Sequence, residues 1–374
     1  MSSEEQTLRF RLARTLSAGG QLRTRAWRTA VESVPRHEFL RDGSFDRTDG
    51  PGITGWAPVM SDQPLWLERC YENESLITQI AGTVVPRDIR GTILRAPTSS
   101  STLPGLVVRM WEELEAEAGH RVLEIGTGTG YSTALACQRL GADLVTSIEL
   151  DPDVAGRART ALARTGHHPT LVTGDGLLGH SPGAPYDRVI ATCGLRSLPY
   201  AWVEQTRPGG VILATLGGWL HSSELARLTV SGDGETARGR FLGGRVSFMP
   251  ARPQGPPPIG LLPDLDGGDE RESRIAVDLL DDWDARFVAQ IAAPRAQRTA
   301  LRQDGREQHV VIDVEGRSWA ALRRSGNRWL VRQGGPDHLW DDIEDHLLLW
   351  HEAGTPALER FEVTVSREGQ KITW

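Results

Sequence analysis

The sequence predicts a doubly wound α/β fold with a Rossmann-like parallel sheet at its centre. The main observation is an alternation of strand and helix patterns between residues 121 and 230. Strand patterns occupy 121–125, 144–149, 170–173, 186–192 and 210–215, and helix patterns occupy 131–140, 152–165 and 199–206. This order is typical of a parallel sheet with helices on both faces. A second observation is a run of alternate glycines after the first strand, at the sheet edge where such folds bind ligands.

The length of the chain predicts more than one domain. Its 374 residues exceed the roughly 100–200 residues of a typical domain. We expect an N-terminal helical and loop region over 1–97, the α/β domain over 98–250, a linker rich in Pro and Gly over 251–272, and a small C-terminal α+β domain over 273–374.

The N-terminal region is interpreted from periodicity and composition. Apolar residues such as Leu12 and Leu16 recur at helical spacing, so residues 7–40 are expected to be helical. Residues 41–64 are rich in Gly, Asp and Pro and are expected to form a loop. Residues 66–80 mix helix and strand signals, so either structure is possible there.

A run of hydroxyl residues from Thr98 to Thr102 precedes Pro104 and an apolar helix pattern. A hydroxyl cap followed by proline in the first turn is typical of a helix start. A cap needs only one hydroxyl group. We therefore expect a helix cap here, with some of the remaining hydroxyls facing a ligand.

The C-terminal domain is predicted to combine a strand meander with one helix. Short strands are expected at 310–314, 318–322, 328–332 and 361–365. An acidic amphipathic helix is expected over 337–353, with one apolar stripe formed by Leu339, Ile343, Leu347 and Trp350.

Composition excludes several classes of protein. A net charge of −7 argues against a general nucleic-acid binder, because phosphate contacts require excess cationic side chains. No apolar run approaches the ~18–20 residues of a membrane span, and the first twenty residues lack the apolar core of a signal peptide. Three dispersed cysteines indicate reduced thiols, so a cytoplasmic location is expected. No histidine cluster has metal-site spacing, and the oligomeric state stays open.

The stretch from Arg121 to Tyr131 indicates a nucleoside cofactor. The first strand ends in Gly126, Gly128 and Gly130, and glycine lets the backbone approach a ligand where a Cβ atom would clash. The second strand ends in Glu149, which can accept hydrogen bonds from two ribose hydroxyls.

The spacing of the glycines favours S-adenosylmethionine over a dinucleotide. Dinucleotide sites usually carry G-x-G-x-x-G with a pyrophosphate on the helix N-terminus. Here the pattern is G-x-G-x-G, and Glu124 precedes it inside the strand. A carboxylate at Glu124 would repel a pyrophosphate, but it can help to hold the ammonium group of S-adenosylmethionine.

The motifs together resemble those of the protein-L-isoaspartate O-methyltransferase family. Val122–Tyr131 is similar to the first motif of that family. Further matches follow the family order: the V-P-R-H-x-F of the family is matched at 34–39, its T-I-S-x-P by S-S-T-L-P at 100–104, its G-D-G at 174–176, its P-[FY]-D at 185–187 and its K-x-G-G by R-P-G-G at 207–210. The resemblance covers roughly residues 8–250 and implies a class I methyltransferase fold with S-adenosylmethionine as cofactor.

The resemblance also implies the site residues. The expected cofactor-binding residues are Glu124, Gly126, Thr127, Gly128, Gly130, Tyr131, Glu149, Asp175, Gly176 and Thr192. Asp175 would accept from the adenine amino group, although a turn-forming Asp-Gly is the simpler interpretation. Thr102, helped by Ser101, would orient the acceptor carboxylate. A carboxylate is already ionised at pH 7, so no strong general base is needed.

Three departures from the family pattern suggest a particular acceptor. Thr102 stands where the family has serine, residues 41–97 are longer and carry tryptophans, and residues 273–374 are additional. Such an architecture resembles the actinobacterial branch found beside ribosomally made peptides such as graspetides, lanthipeptides and lasso peptides. That branch methylates an Asp side chain of a constrained peptide, and the ester closes to an aspartimide.

The expected partner is therefore a macrocyclised precursor peptide, with neither nucleic acid nor membrane involved. The C-terminal domain would bind it, either by strand addition or through five arginines that meet acidic residues: Arg317, Arg323, Arg324, Arg328 and Arg332. A packing or dimerisation domain is the alternative for 273–374. For the whole chain the alternatives are repair of isoaspartate in damaged proteins and non-catalytic peptide binding.

Overall fold

The helices follow the apolar periodicity of the sequence over most of the chain. The computed structural model describes residues 3–50, 53–303 and 306–374. The α-helices of these ranges are α1 Ser3–Ala18, α2 Arg25–Ser33, α3 Trp66–Arg69, α4 Pro104–Glu113, α5 Tyr131–Leu140, α6 Pro152–Arg164, α7 Tyr200–Glu204, α8 Trp283–Ala292 and α9 Leu339–Glu352. None of the helices described has both the length and the apolar character that a membrane crossing requires.

The strands are distributed along the whole of the described chain. They are β1 Ser44–Gly50, β2 Ile53–Val59, β3 Leu76–Ile80, β4 Pro97–Ser101, β5 Val122–Ile125, β6 Val145–Glu149, β7 Thr170–Thr173, β8 Tyr186–Leu195, β9 Thr206–Gly217, β10 Ser223–Val230, β11 Ala237–Phe241, β12 Glu270–Glu272, β13 Gln297–Gln303, β14 Arg306–Asp313, β15 Ser318–Ser325, β16 Arg328–Gly334, β17 Glu362–Ser366 and β18 Gly369–Thr373.

These strands form three sheets. The sheet orders are β2-β1-β3-β4, β18-β17-β11-β10-β9-β8-β5-β6-β7 and β12-β16-β15-β14-β13. In the second sheet β5 pairs in parallel with β6 and β8, and β6 pairs in parallel with β7. The predicted doubly wound α/β sheet is confirmed, with β5 to β8 as its parallel part; the whole sheet is mixed, because β17 and β18 pair antiparallel.

The chain divides into two compact units. The first comprises Met1–Thr192, Pro199–Leu213 and Thr229–Ala237, and the second comprises Cys193–Leu198, Ala214–Leu228 and Arg238–Trp374. The second unit includes β17, which lies beside β11 in the large sheet, and β18, which lies beside β17.

Two N-terminal predictions are corrected. Residues 7–40 form two helices and a short 3-10 turn, because Gly20 adopts φ of 76° after α1 and Thr24 caps the start of α2. Residues 41–64, expected to be a loop, contain the antiparallel hairpin β1–β2, in which Ser44 pairs with Val59. The loop expected at 51–52 lies outside the described residues.

The hydroxyl run is a strand and not a helix cap. Residues 97–101 form β4, which pairs with β3, and α4 begins at Pro104 without a side-chain cap at Leu103. The preceding segment supplies the acceptors instead: Leu103 N–H donates to Ser75 Oγ at 3.0 Å, and Gly105 N–H donates to Asn73 Oδ1 at 2.7 Å.

In the second unit the predicted meander and helix are present. β14, β15 and β16 pair antiparallel, and the four residues of the apolar stripe on α9 are buried. The segment expected to be a linker does not act as a free spacer. Its Ile259, Leu262 and Leu265 pack against the buried cluster of the five-stranded sheet, and β12 pairs with β16.

Three of the five predicted arginines pair with acidic residues of this chain. Arg323 and Arg332 pair with Glu270 at 2.7 and 3.4 Å, and Arg328 pairs with Glu272 at 3.1 Å. Glu270 and Glu272 lie on β12, which pairs with β16.

Candidate active site

The glycine loop between β5 and α5 requires glycine at its three alternate positions. Gly126, Gly128 and Gly130 have φ of 95°, 55° and 92°, a region that other residues rarely adopt. A Cβ atom on Gly126 would also lie 2.8 Å from Thr192 Oγ1. Thr192 lies on β8 and donates its hydroxyl to Gly126 O at 2.6 Å. The loop is thus a backbone cradle, and Thr192 braces it.

Glu124 lies beneath this loop and is completely buried. Its Oε2 accepts hydroxyl hydrogen bonds from Thr133 at 2.5 Å and from Ser147 at 2.7 Å. Burial raises the pKa of the Glu124 carboxyl, and the neighbouring hydroxyls oppose this only in part. Thr127, also buried, shares a 2.7 Å hydrogen bond with Ser147. These contacts join the loop to the first two parallel strands.

Glu149 ends β6 beside the loop, as predicted. Its Oε2 accepts from Gly128 N–H at 2.9 Å, and its Oε1 accepts from Asp151 N–H at 3.1 Å. The side chain is half-buried, so part of it remains accessible to a ligand. The two backbone bonds fix the direction of the carboxylate at the edge of the sheet.

Asp175 and Gly176 follow β7. Asp175 Oδ1 accepts from Leu177 N–H at 2.9 Å, which is the turn-forming role of an Asp-Gly pair. A Cβ atom on Gly176 would meet Ile125 Cγ2 at 2.5 Å, so only glycine fits beside the end of β5. Asp175 retains a second carboxyl oxygen, and its side chain is half-buried.

Ser101 and Thr102 lie at the end of β4. The Ser101 hydroxyl is buried and has no hydrogen-bond partner within the described residues. Thr102 is half-buried. A Cβ atom on Gly128 would lie 3.4 Å from Ser100 O, so the hydroxyl strand runs close to the glycine loop. The structure therefore places the strand that carries Ser101 beside the glycine loop.

Tyr131 is the predicted site residue that begins α5, directly after the glycine loop. It is buried, and its ring meets Phe39 at a centroid distance of 6.0 Å. Burial raises the pKa of Tyr131 to about 12. Its hydroxyl has no hydrogen-bond partner in the described ranges. Tyr131 thus packs behind the loop that it follows.

These residues fit S-adenosylmethionine. The cradle has no side chain at its three glycines. Glu149 would hold the ribose hydroxyls, and the second oxygen of Asp175 would accept from the adenine amino group. Glu124 Oε1 is buried and accepts no hydrogen bond from the residues described, which suits an ammonium donor.

Two supporting residues were not singled out from the sequence. Arg36 is fully buried and donates to the carbonyls of Ser101 and Thr102; its place in the V-P-R-H segment was the only signal. Gln79 is buried and donates to Asp151 Oδ2 at 3.1 Å. Gln79 carries no motif, so only the structure reveals this contact.

Comparison with known proteins gives consistent matches. A family model described as protein-L-isoaspartate(D-aspartate) O-methyltransferase (PCMT) matches residues 87–252. The chain is 31% identical over 245 residues to the protein-L-isoaspartate O-methyltransferase of Methanopyrus kandleri, covering 65% of this chain and 90% of the relative. It is 36% identical over 149 residues to the enzyme of that name from Thermococcus onnurineus, covering 39% of this chain and 66% of the relative.

One solved structure resembles the chain along almost its whole length. It is described as a protein-L-isoaspartate O-methyltransferase and covers 98% of this chain and 99% of its own, with a TM-score of 0.57 and 21% identity. At this identity the likeness concerns the fold, and it includes the C-terminal half.

Proposed function

Because this chain belongs to the protein-L-isoaspartate(D-aspartate) O-methyltransferase family, it is an S-adenosylmethionine-dependent carboxyl methyltransferase, and we propose that its acceptor is an isoaspartyl carboxylate in a peptide or protein. The observation that carries the proposal is the Methanopyrus kandleri relative, of which this chain covers 90%.

We assign the cofactor to the glycine loop and the three acids around it. When bound, S-adenosylmethionine supplies an electrophilic methyl group on a sulfonium centre. Glu149 would hold the ribose, Asp175 would hold the adenine, and Glu124 would face the ammonium group. The half-buried positions of Glu149 and Asp175 support these roles, and so does the absence of side chains at the three glycines.

The acceptor side needs orientation more than proton transfer. The carboxylate is ionised at neutral pH, so it is nucleophilic without a general base. Thr102 and Ser101 would donate hydroxyl hydrogen bonds to it, each contributing about 1.5–3 kcal/mol to a charged group. The buried Ser101 hydroxyl has no partner within the described residues and is available for this. Alignment of the acceptor then supplies the main rate gain.

The methyl ester then reacts without further help from the protein. The nitrogen of the following backbone amide attacks the ester carbonyl and forms a carbon–nitrogen bond. The carbon–oxygen bond to the methoxy group breaks, and the amide proton leaves with it as methanol. The product is a five-membered succinimide, which water can open to aspartate or isoaspartate.

A second acceptor is an ordinary Asp side chain in a constrained, ribosomally made peptide, whose ester would close to an aspartimide. Thr102 in place of the family serine favours this acceptor. The sheet formed by β1 to β4 also supports it, because this sheet includes the lengthened region 41–97 and its strand β4 ends at Ser101, next to Thr102. The C-terminal half favours neither acceptor, because the solved structure named above extends over the same length.

Mass spectrometry of three acceptor peptides tests the proposal. A linear isoaspartyl peptide, the same sequence with aspartate, and a macrocyclic aspartyl peptide are incubated with the enzyme and S-adenosylmethionine. Methyl ester followed by methanol loss on the isoaspartyl peptide alone supports the first acceptor. The same sequence of masses on the macrocycle alone supports the second. No turnover on any of the three, alongside intact cofactor binding, would favour a peptide-binding module.

A further inference from the structure

Arg36 is a buried cation that bonds the backbone of Ser101 and Thr102, which we call the hydroxyl pair. It begins the 3-10 turn after α2 and is completely buried. Its guanidinium donates five hydrogen bonds of 2.9–3.3 Å, all to backbone carbonyls: those of Cys70, Glu72, Glu74, Ser101 and Thr102. One side chain thereby joins the segment before β3 to the end of β4.

The same segment also holds the start of α4. Ser75 and Asn73 accept from Leu103 N–H and Gly105 N–H, just beyond the hydroxyl pair. Arg36 and these two side chains therefore fix the backbone on both sides of Thr102. Any hydroxyl presented by Thr102 is aimed by this framework.

The bonds of Arg36 also set the direction of one peptide group. The Ser101–Thr102 peptide is trans, so its N–H points opposite to its C=O. Because the Ser101 carbonyl faces the guanidinium, the Thr102 N–H faces the other side. A carboxylate lying on that side would meet the Thr102 N–H.

The charge of Arg36 has no carboxylate bonded to it. All five of its acceptors are neutral carbonyls, and no ion pair of the described residues includes it. Glu74 bonds Arg36 through its backbone carbonyl, and its side chain is exposed. Burying a cation without an anionic partner is unfavourable. An anion that binds beside Ser101 and Thr102 would relieve this cost.

We propose that Arg36 is the positioning residue that makes this site select an ionised acceptor. It turns the Thr102 N–H toward the acceptor and supplies the positive charge that favours a carboxylate over a neutral carboxamide. The proposal rests on the proposed function, because it concerns the same acceptor site.

The test compares a carboxylate peptide with its carboxamide analogue. The probes are a synthetic isoaspartyl peptide, measured by KM and kcat, and the isoasparaginyl peptide, measured as an inhibitor by Ki. In the wild type the carboxamide should bind at least about tenfold more weakly, the factor expected from one charge interaction in a partly screened site. In Arg36→Met this preference should fall to nearly one, while affinity for S-adenosylhomocysteine stays within about threefold, because none of the hydrogen bonds of Arg36 goes to the glycine loop and its contact there is the 5.8 Å stacking on Tyr131.

Two further variants separate the role in selection from a role in packing. Arg9→Met is the matched control, because Arg9 is also buried in the N-terminal region and donates instead to Glu32 O at 2.9 Å. It should keep the preference for the carboxylate even where it lowers stability. Arg36→Lys keeps the charge but has fewer donors, so the preference should remain while kcat falls about tenfold.

Each outcome bears on the proposal. An unchanged preference in a folded Arg36→Met variant overturns the selective role. If the Arg36→Met variant does not unfold cooperatively, the Arg36→Lys variant is used instead. A kcat of Arg36→Lys equal to that of the wild type overturns the positioning role of Arg36. Equal binding of both peptides to the wild type overturns the claim that the charge of Arg36 favours a carboxylate over a carboxamide. Absence of wild-type turnover on any carboxylate peptide is a failure of the proposed function instead, and S-adenosylhomocysteine binding still reports on the cradle.

Discussion

Removal of the Thr102 hydroxyl is expected to impair orientation of the acceptor while leaving binding of the cofactor intact. Thr102→Val keeps the shape of the side chain and removes the hydroxyl, so kcat should fall by roughly ten- to a hundredfold, the value of one hydrogen bond to a charged group. Thr102→Ser should have a mild effect. Steady-state kinetics on the methylated peptide and calorimetry with S-adenosylhomocysteine are the measurements.

The control for this pair is Thr29→Val on the exposed surface of α2, where the hydroxyl bonds only its own helix at Arg25 O. It should leave both kcat and cofactor affinity unchanged. Full activity in Thr102→Val would mean that Thr102 merely follows β4 and does not orient the acceptor.

Glu124 is expected to make stability fall as pH rises. Its folded-state pKa is raised above the ordinary value of 4.5, so the folded protein binds this proton more tightly than the unfolded chain. The contribution of Glu124 to stability is therefore complete below about pH 4.5 and is lost as pH rises through the folded-state pKa. Glu124→Gln removes the ionisation and should raise the urea midpoint at pH 8 relative to the wild type, but little at pH 4.

The same variant tests the assigned contact with the cofactor ammonium. Loss of the negative charge should weaken S-adenosylhomocysteine binding about tenfold or more. Unchanged affinity would assign Glu124 to the support of the glycine loop alone. A urea midpoint that does not differ between variant and wild type at pH 8 would contradict the pH argument.

At the scale of elements, α9 is fastened by one buried carboxylate. Glu344 is completely buried and accepts from Trp340 Nε1 at 2.9 Å, Ser273 Oγ at 2.7 Å and Arg274 Nε at 3.0 Å, and it pairs with Arg271 at 2.9 Å. Glu344→Gln should lower the free energy of unfolding by about 2 kcal/mol. This is below the cost of breaking a fully buried pair, because both arginines are partly exposed.

Asp345→Asn is the matched control for that loss. Asp345 is the next residue on α9 and pairs with the same Arg274 at 2.7 Å, but its side chain is 62% exposed. Exposed pairs contribute about 0–1 kcal/mol, so this variant should be close to the wild type in urea unfolding. Equal losses in the two variants would mean that burial is not what makes Glu344 important.

The elements that could be predicted are those specified by local patterns. β5, the glycine turn, α5 and β6 have a period and a turn chemistry that do not depend on distant residues, and their bounds fell within a residue or two of those expected. The hairpin β1–β2 could not be found this way, because its glycines and polar residues are typical of loops. The sequence of β4 predicts a helix cap, because its strand conformation depends on pairing with β3 and not on a local pattern.

The candidate site also has a part that local sequence patterns predict and a part that depends on distant contacts. Glu149 and the glycines lie at strand ends, so the sheet topology alone brings them together. The contacts of Arg36 join residues 34 to 66 positions apart. No spacing in the sequence reports such contacts, since they exist only after the segments have packed.

At the scale of the whole molecule, the C-terminal region is expected to be required for folding. A chain ending near residue 255 would lack β17, which lies beside β11 in the large sheet. It would also lack Phe287, whose ring packs on Phe241 at 5.1 Å. An unpaired strand edge and an exposed apolar face favour aggregation. Light scattering of the shortened chain should therefore show aggregates and no cooperative thermal transition.

A soluble monomer with wild-type affinity for S-adenosylhomocysteine would contradict this expectation. It would show that the strands through β11 are sufficient for a stable fold. The C-terminal region would then be open to study as a separate reader of the acceptor, as the arginine-rich sequence first indicated.

The hairpin β1–β2 lies in the stretch of chain between Arg36 and the segment it binds at Cys70. The hydrogen bonds that fix Ser101 and Thr102 come from Arg36, and they involve no residue of this hairpin. Substitutions of exposed residues usually change stability by no more than about 0.5 kcal/mol. In evolutionary terms, a lineage can change the exposed side chains of this hairpin to admit new acceptors while the inherited methyl-transfer framework stays the same.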